Sequence, residues 1–334
     1  MLAAITPPDH DALGVLTGTA QVMHSARLVR ICSAQVDALA QRWSTAPWPE
    51  QAGLDALHFT DDTERTANWI LLLDALNFCF WGEPGEPRWR VTWQGERHDG
   101  YYALAAALTR ALSEGYVLWD ARLLATMHAD QLREILRPDA GCPEIPLFEE
   151  RVANVREIGQ VLLDRYDGQF ATAITAAGGS AADLVLLLAT QFPSFRDVAT
   201  WEGQLVPFYK RAQICVADIH AGFHGRQWGA FHDLANLTAF ADYKLPQLLR
   251  RHGVLEYATE LAEIVDAQQT IAAGSPAEIE IRAATIWSVE LLRRALTKFG
   301  IDRTASDIDY RLWADSQSRQ AGERPYHRTR TIFY

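Results

Sequence analysis

The chain has no apolar run approaching the roughly 20 residues that a membrane-crossing helix needs, although 49% of its 334 residues are hydrophobic. Its N-terminus, Met-Leu-Ala-Ala-Ile-Thr-Pro-Pro-Asp-His, has neither the basic region nor the apolar core of a secretory signal. Cysteine is scarce. Cys32, Cys79, Cys142 and Cys215 are far apart and form no Cys-x-x-Cys pair. That spacing argues against a disulfide framework or a structural zinc site and for reduced, buried thiols in a cytoplasmic protein. The chain lacks a Gly-x-x-x-x-Gly-Lys phosphate loop, a Gly-x-Gly-x-x-Gly turn, a His-Glu-x-x-His pair and a Gly-x-Ser-x-Gly elbow, and its ten histidines show no ligand spacing. ATPase, dinucleotide oxidoreductase, zinc hydrolase and serine hydrolase chemistry therefore have no support. Excess positive charge is also absent. The formal net charge of -11 opposes capture of a polyanion, since duplex binders neutralise phosphates with a basic face. A small-molecule substrate fits this charge better than duplex nucleic acid does.

The composition, with 22% charged residues, is that of an ordinary globular protein with a sizeable core. Helical periodicity dominates. It predicts helices over Ala12 to Ile31, Ala34 to Trp43, Tyr101 to Leu112, Ala121 to Leu136 and Phe148 to Tyr166. Further helices are expected over Ala181 to Ala189, Val206 to Phe223, Leu237 to Arg250, Tyr257 to Ala273 and Ala277 to Lys298. Thr60 to Thr63 supplies N-cap candidates ahead of the run Trp69 to Leu76, and Ser180 caps the helix that follows it. Pro138 to Pro146 reads as a turn region, and Phe192-Pro193-Ser194-Phe195 breaks the chain. One segment departs from this pattern. Trp89, Val91 and Trp93 alternate with Arg90, Thr92 and Gln94 before a turn at Gly95, which predicts a short β-hairpin insertion near residues 88–98. No repeat, low-complexity tract or linker divides the chain. The expectation is a mainly α protein forming one domain over residues 1–334.

Four constellations could carry chemistry. In Phe240-Ala241-Asp242-Tyr243-Lys244-Leu245-Pro246-Gln247, an Asp follows an aromatic residue in an apolar frame. Asp242 reads either as a site carboxylate or as the cap of the helix containing Pro246. In Phe208-Tyr209-Lys210-Arg211, two cations stand at a helix start. They read as an anion site, because helix N-termini present free N-H groups, or as a solvated basic turn. In Ile308-Asp309-Tyr310-Arg311-Leu312-Trp313-Ala314-Asp315, two carboxylates lie six residues apart, not aligned on one helix face. They read as a pair dividing acid and stabilising roles, or as a cap plus a surface Asp. Finally, Asn77-Phe78-Cys79-Phe80-Trp81 with His58-Phe59 reads as core or as a base-stacking pocket.

The Gly274-Ser275-Pro276 turn opens a long amphipathic segment that is followed by Asp309 in an apolar-aromatic frame. That order resembles the helix-hairpin-helix and trailing catalytic Asp of base-excising glycosylases. Taken with Leu76-Asn77-Phe78, Ile145-Pro146-Leu147, Phe192 to Asp197, Tyr209 to Ile214, Phe240 to Tyr243, Glu280 to Ala283, Ile308 to Trp313 and Pro325 to Tyr334, the chain resembles the queuosine salvage protein family. The likeness runs from about His58 to the end, and the first 50 residues add least to it.

The resemblance implies a helix-hairpin-helix glycosylase-like fold and release of queuine from queuosine 5'-phosphate without metal or cofactor. It further implies that His58, Phe240, Asp242, Asp309 and Tyr310 line the queuine pocket. The catalytic carboxylate would come from the Asp-Tyr-x-Leu-Trp region, with Asp309 and Asp315 as the candidates. Asn77 and Phe78 join the pocket set. Lys210 is expected to face the 5'-phosphate, with Arg211 or the His327-Arg328 tail behind it. Two rival readings stand beside this one: a base-excision DNA glycosylase and a non-enzymatic queuine carrier.

Overall fold

The computed structural model describes residues 5–49, 57–317 and 322–334; residues 1–4, part of the N-terminal stretch read above for a leader, lie outside them. In chain order the elements begin with α1 (Val15–Ser25), β1 (Val29–Ile31), α2 (Ser33–Ser44), α3 (Glu64–Ala75), β2 (Arg90–Trp93) and β3 (Glu96–Asp99). Next come α4 (Gly100–Ser113), α5 (Ala121–Ala125), α6 (Ala129–Ile135), α7 (Phe148–Arg165), α8 (Phe170–Ala176) and α9 (Ala181–Gln191). The chain continues with β4 (Val198–Trp201), β5 (Gln204–Pro207), α10 (Lys210–Gly222), α11 (Lys244–Arg251), β6 (Leu255–Tyr257) and α12 (Thr259–Asp266). It ends with α13 (Pro276–Thr297) and α14 (Ala305–Ser316). The protein is mainly helical, and its strands form three antiparallel pairs, β1 with β6, β2 with β3 and β4 with β5. The expected hairpin is β2–β3, turning through Gln94 and Gly95 with φ of 50° and 84°, the two positive values a tight right-twisted hairpin requires. Among the described residues no helix is long and apolar enough to cross a membrane.

The chain divides into two compact units. The first takes the described residues of 1–51, 197–213 and 233–331. Its centre is α13, buried almost all round from Glu278 to Leu292 and packed by α1, α2, α11 and α14. Ser275 caps it by accepting from Glu278 N, with Pro276 at its first turn. The second unit takes residues 52–196, 214–232 and 332–334, again where described. There α7 packs on α3, α5 and α6, and α3 also meets α4 and α8. Its α3 begins where expected: Thr63 Oγ1 accepts from Arg65 N, and Asp61 Oδ1 accepts from Thr63 N, Thr63 Oγ1 and Thr66 Oγ1.

Five expected helices are shortened, each for a local reason. The span from Ala12 to Ile31 breaks after Ser25, because Arg27, Leu28 and Val29 all turn their N-H groups onto one buried Glu280 oxygen at 3.0, 2.6 and 3.0 Å. A carboxylate taking three backbone donors outweighs one more helical turn. The span from Ala121 to Leu136 splits into α5 and α6, each separately capped, by Asp120 and by the His128–Gln131 pair. The span from Val206 begins as strand β5 and becomes helix only at Lys210. The span from Leu237 becomes helix only at Lys244, after Asp242. The span from Tyr257 is strand first and helical only from Thr259 to Asp266, and Ile271 N then donates to Arg328 O.

Candidate active site

The first unit gathers several of the sequence candidates around one loop. Asp309 lies in the first half of α14, whose start is fixed by a reciprocal capping box between Thr304 and Asp307. Its carboxylate is 5% exposed, and Oδ2 accepts from Phe240 N at 2.7 Å. Burial pushes the Asp309 carboxyl well above its usual range. The Phe240 N-H counters that push, the nearby negative charge of Asp242 adds to it, and the Lys210 charge opposes it. Asp242 and Lys210 thus both bear electrostatically on Asp309.

Both sequence readings of Asp242 have a basis here. Its Oδ1 accepts from Lys244 N at 2.7 Å and from Leu245 N at 2.9 Å, so it does cap α11. That cap lets Pro246 sit in the first turn, where its missing N-H costs nothing. Both bonds fall on Oδ1. The solvated-turn reading of Lys210 and Arg211 fails, because they are only 5% and 1% exposed. Lys210 is the first residue of α10, and its backbone N donates to Asp197 Oδ2 at 3.0 Å. Immediately before it Tyr209 has a φ of 49°, a left-handed conformation that costs a non-glycine residue on the order of 1–3 kcal/mol and concentrates at functional sites. The Asp197 carbonyl holds that turn by accepting from both Phe208 N and Tyr209 N.

On α14, Tyr310 is half-buried and stacks on Trp313 with centroids 6.1 Å apart. Asp315 follows Asp309 by six residues, roughly 240° round an ideal helix. Its charge acts on Arg311 and His252, a different surrounding from that of Asp309. His327 is 1% exposed, and burial, with the charges of Arg282 and Arg250, lowers its pKa to about 3. It is therefore neutral near pH 7 and supplies no positive charge for a phosphate.

His58, Asn77 and Phe78 belong to the second unit. His58 Nε2 is 2.7 Å from the Tyr101 hydroxyl, and its ring meets Trp69 edge-on. The core reading holds for the aromatic cluster: Phe78, Phe80 and Trp81 are buried. The Arg151 guanidinium sits 4.1 Å from the Phe78 ring centroid and donates to the carbonyls of Leu76, Phe78 and Cys79, which closes the end of α3. Asn77 Nδ2 makes a long contact of 3.4 Å to Asp74 Oδ1.

Sequence reasoning assigned no role to three residues that organise the first unit's site. These are Asp197, Gln213 and Arg282, buried at 2%, 0% and 2% exposure. The available signal was the alternation of Glu278, Glu280 and Arg282 with Ile279 and Ile281 at the start of a long helical segment, since unpaired charges are not kept inside a core.

The sequence profile of the queuosine salvage protein family matches residues 57–334. A Sphaerobacter thermophilus protein described as queuosine 5'-phosphate N-glycosylase/hydrolase is 51% identical over 329 residues, covering 97% of this chain and 98% of that protein. Proteins of the same description from Mus musculus and Schizosaccharomyces pombe are 36% and 34% identical, covering 88% and 79% of this chain and 89% and 79% of their own. A match of this length and depth, spanning Asp309, Asp242 and Lys210, means that the chain belongs to the queuosine salvage protein family.

Proposed function

We propose that this protein hydrolyses the N-glycosidic bond of queuosine 5'-monophosphate, releasing queuine and ribose 5-phosphate. The observation that carries the chemistry is the buried Asp309 carboxylate, bonded to Phe240 N and acted on by the charges of Asp242 and Lys210. The names of the relatives supply the substrate. Queuine is a 7-deazaguanine and lacks the ring nitrogen that purine hydrolases protonate, so it leaves poorly. The sugar must then carry more positive charge as the bond to the glycosidic nitrogen breaks and its electron pair moves to the base. A carboxylate held in a low-dielectric surrounding stabilises that oxocarbenium far more than water does. Water adds to the anomeric carbon, and the proton it loses as the hemiacetal forms ends on the nitrogen of the departed base, giving neutral queuine.

The same surrounding that raises the Asp309 pKa makes it responsive to an arriving cation. Both the developing sugar and the aminomethyl arm of queuine are cations, and either favours the ionised carboxylate. Asp309 is the proposed catalytic carboxylate, with Asp315 the second candidate. Asp242, through Oδ2, is proposed to pair with the amine or the base edge. Phe240 and Tyr310 are proposed to flank the base, and Lys210 to face the 5'-phosphate. The Gly274-Ser275-Pro276 turn before α13, with Gly274 at a φ of 73° and a carboxylate following on α14, supports the helix-hairpin-helix likeness. A cytoplasmic location belongs to the same proposal.

The test mixes pure protein with queuosine 5'-monophosphate and follows free queuine by liquid chromatography and mass spectrometry. Release by the native chain, with a loss on the order of 10²–10³ in Asp309→Asn, is the expected result. Full activity in a folded Asp309→Asn protein would remove Asp309 from the catalytic role. Tight binding without release would favour a carrier instead.

A further inference from the structure

We infer that Arg282 is a positioning residue for this reaction, locking the loop that carries Phe240 and Asp242 to the segment that carries Lys210. The inference rests on the proposed site above and adds to it a buried device that touches none of the reacting atoms.

The geometry begins with two segments far apart in sequence, 197–213 and 238–242, both in the first unit. Arg282 projects from α13 and donates through Nη1 and Nη2 to Asp197 Oδ1 and Oδ2 at 2.8 and 2.5 Å, a bidentate pair with both side chains at most 3% exposed. The same Asp197 Oδ2 accepts from Lys210 N. Arg282 Nε points the other way and donates to Ala241 O at 3.3 Å, between Phe240 and Asp242. Its guanidinium also lies 3.9 Å from the Phe208 ring centroid. One planar group therefore joins the Lys210 turn to the Asp242 loop.

A second staple lies parallel to the first. Gln213 Oε1 accepts from Thr238 N at 2.7 Å, and its Nε2 donates to Phe208 O at 2.9 Å. Asp309 adds the bond to Phe240 N. The loop is thus pinned at 238, 240 and 241, and Asp242 then caps α11. Of these anchors only Asp309 is proposed to meet substrate. Arg282 is the one anchor that bears on both segments while belonging to neither. A lysine there keeps the charge but loses the fork, so it cannot engage both Asp197 oxygens and Ala241 O together. Loss of the fork lets the distances among Lys210, Asp242 and Asp309 vary. Misplacement by about 1 Å can cost ~10²-fold in rate.

The experiment compares Arg282→Lys and the isosteric Asp197→Asn with the native protein. It measures kcat and KM for queuine release against pH, at temperatures well below each variant's own melting transition. The expected result is a kcat lowered about 10- to 100-fold with KM changed far less. The pH–rate profile should also shift, because the charges acting on Asp309 are no longer held at fixed distance. A purely structural role would lower the folded fraction and leave the rate per folded molecule and its pH profile alone. Native kcat and pH profile in either folded variant would overturn the inference, as would a loss that disappears on cooling. If neither variant folds, the pair is a folding determinant and the positioning role is withdrawn. Asp309→Asn, assayed alongside, tests the proposed function separately: full activity there with loss in Arg282→Lys would sink the catalytic assignment and not the clamp.

Discussion

At the scale of the residue, burying the Asp309 carboxyl costs stability, and the cost has a sign. Its carboxyl is raised above the unfolded value of about 3.9, chiefly by burial. Between those two values the folded state holds a proton that the unfolded state has released. Stability therefore falls as pH rises through that window, and the cost of the buried charge is complete above the folded value. Asp309→Asn removes the ionisable group while its amide oxygen can still accept from Phe240 N. At pH 7–8 the variant is expected to melt a few degrees higher than the native protein, with the gap narrowing as the pH approaches 4. Calorimetry of both proteins across that range provides the check. An equal or lower melting point for the variant at pH 8 would mean that Asp309 is not stored in a disfavoured charge state. The carboxylate itself was readable from sequence, as an Asp in an aromatic frame. Its partner Phe240 N was not, because a backbone donor 69 positions away leaves no mark on side-chain pattern.

At the scale of the element, sequence periodicity placed helix interiors well and helix starts poorly. Segments such as α4, α7 and α13 carry continuous apolar faces, α13 with its own Ser275 cap, and they lie close to where they were expected. The start of α10 was hidden because Val206 and Phe208 continue the apolar spacing of the helix, while the actual start is set by Asp197, 13 positions upstream. The β4–β5 hairpin was missed although its turn, Glu202-Gly203 with φ of 48° and 81°, uses the same positive-φ pair as Gln94-Gly95. Its strands, as short as those of the first hairpin, lack the alternating tryptophans that marked that one. Element packing supplies its own test at Gly159, where α7 crosses α5. A Cβ there would come within 2.7 Å of Leu124 C and 2.8 Å of Ala121 O, both backbone atoms that cannot rotate away. Gly159→Ala is expected to destabilise the protein by about 1–3 kcal/mol or more, the usual cost of overpacking, rather than to stabilise a helix interior as alanine normally does. Urea denaturation measures it, and an unchanged midpoint would mean that the two helices can separate without cost.

At the scale of the whole molecule, the chain weaves between two compact units with no Pro, Gly or Ser linker to announce the crossings. Composition alone therefore had no means of showing the division. Charge is the global property that was legible, and it separates the proposed hydrolase from a DNA glycosylase. Duplex binding draws its affinity from cations that release counterions, and it weakens steeply with salt. This chain carries a net charge of -11. Lys210 and Arg211 are buried, and Arg282 is paired with Asp197. The one lysine proposed to face a phosphate, Lys210, is far short of what a duplex requires. Excess duplex DNA added at about 50 mM salt should accordingly leave the rate of queuine release from queuosine 5'-monophosphate unchanged. Titration of labelled duplex should show no affinity that falls log-linearly with salt. Inhibition by duplex that is relieved as salt rises would restore the DNA glycosylase reading, because only a phosphate-tracking surface produces that dependence.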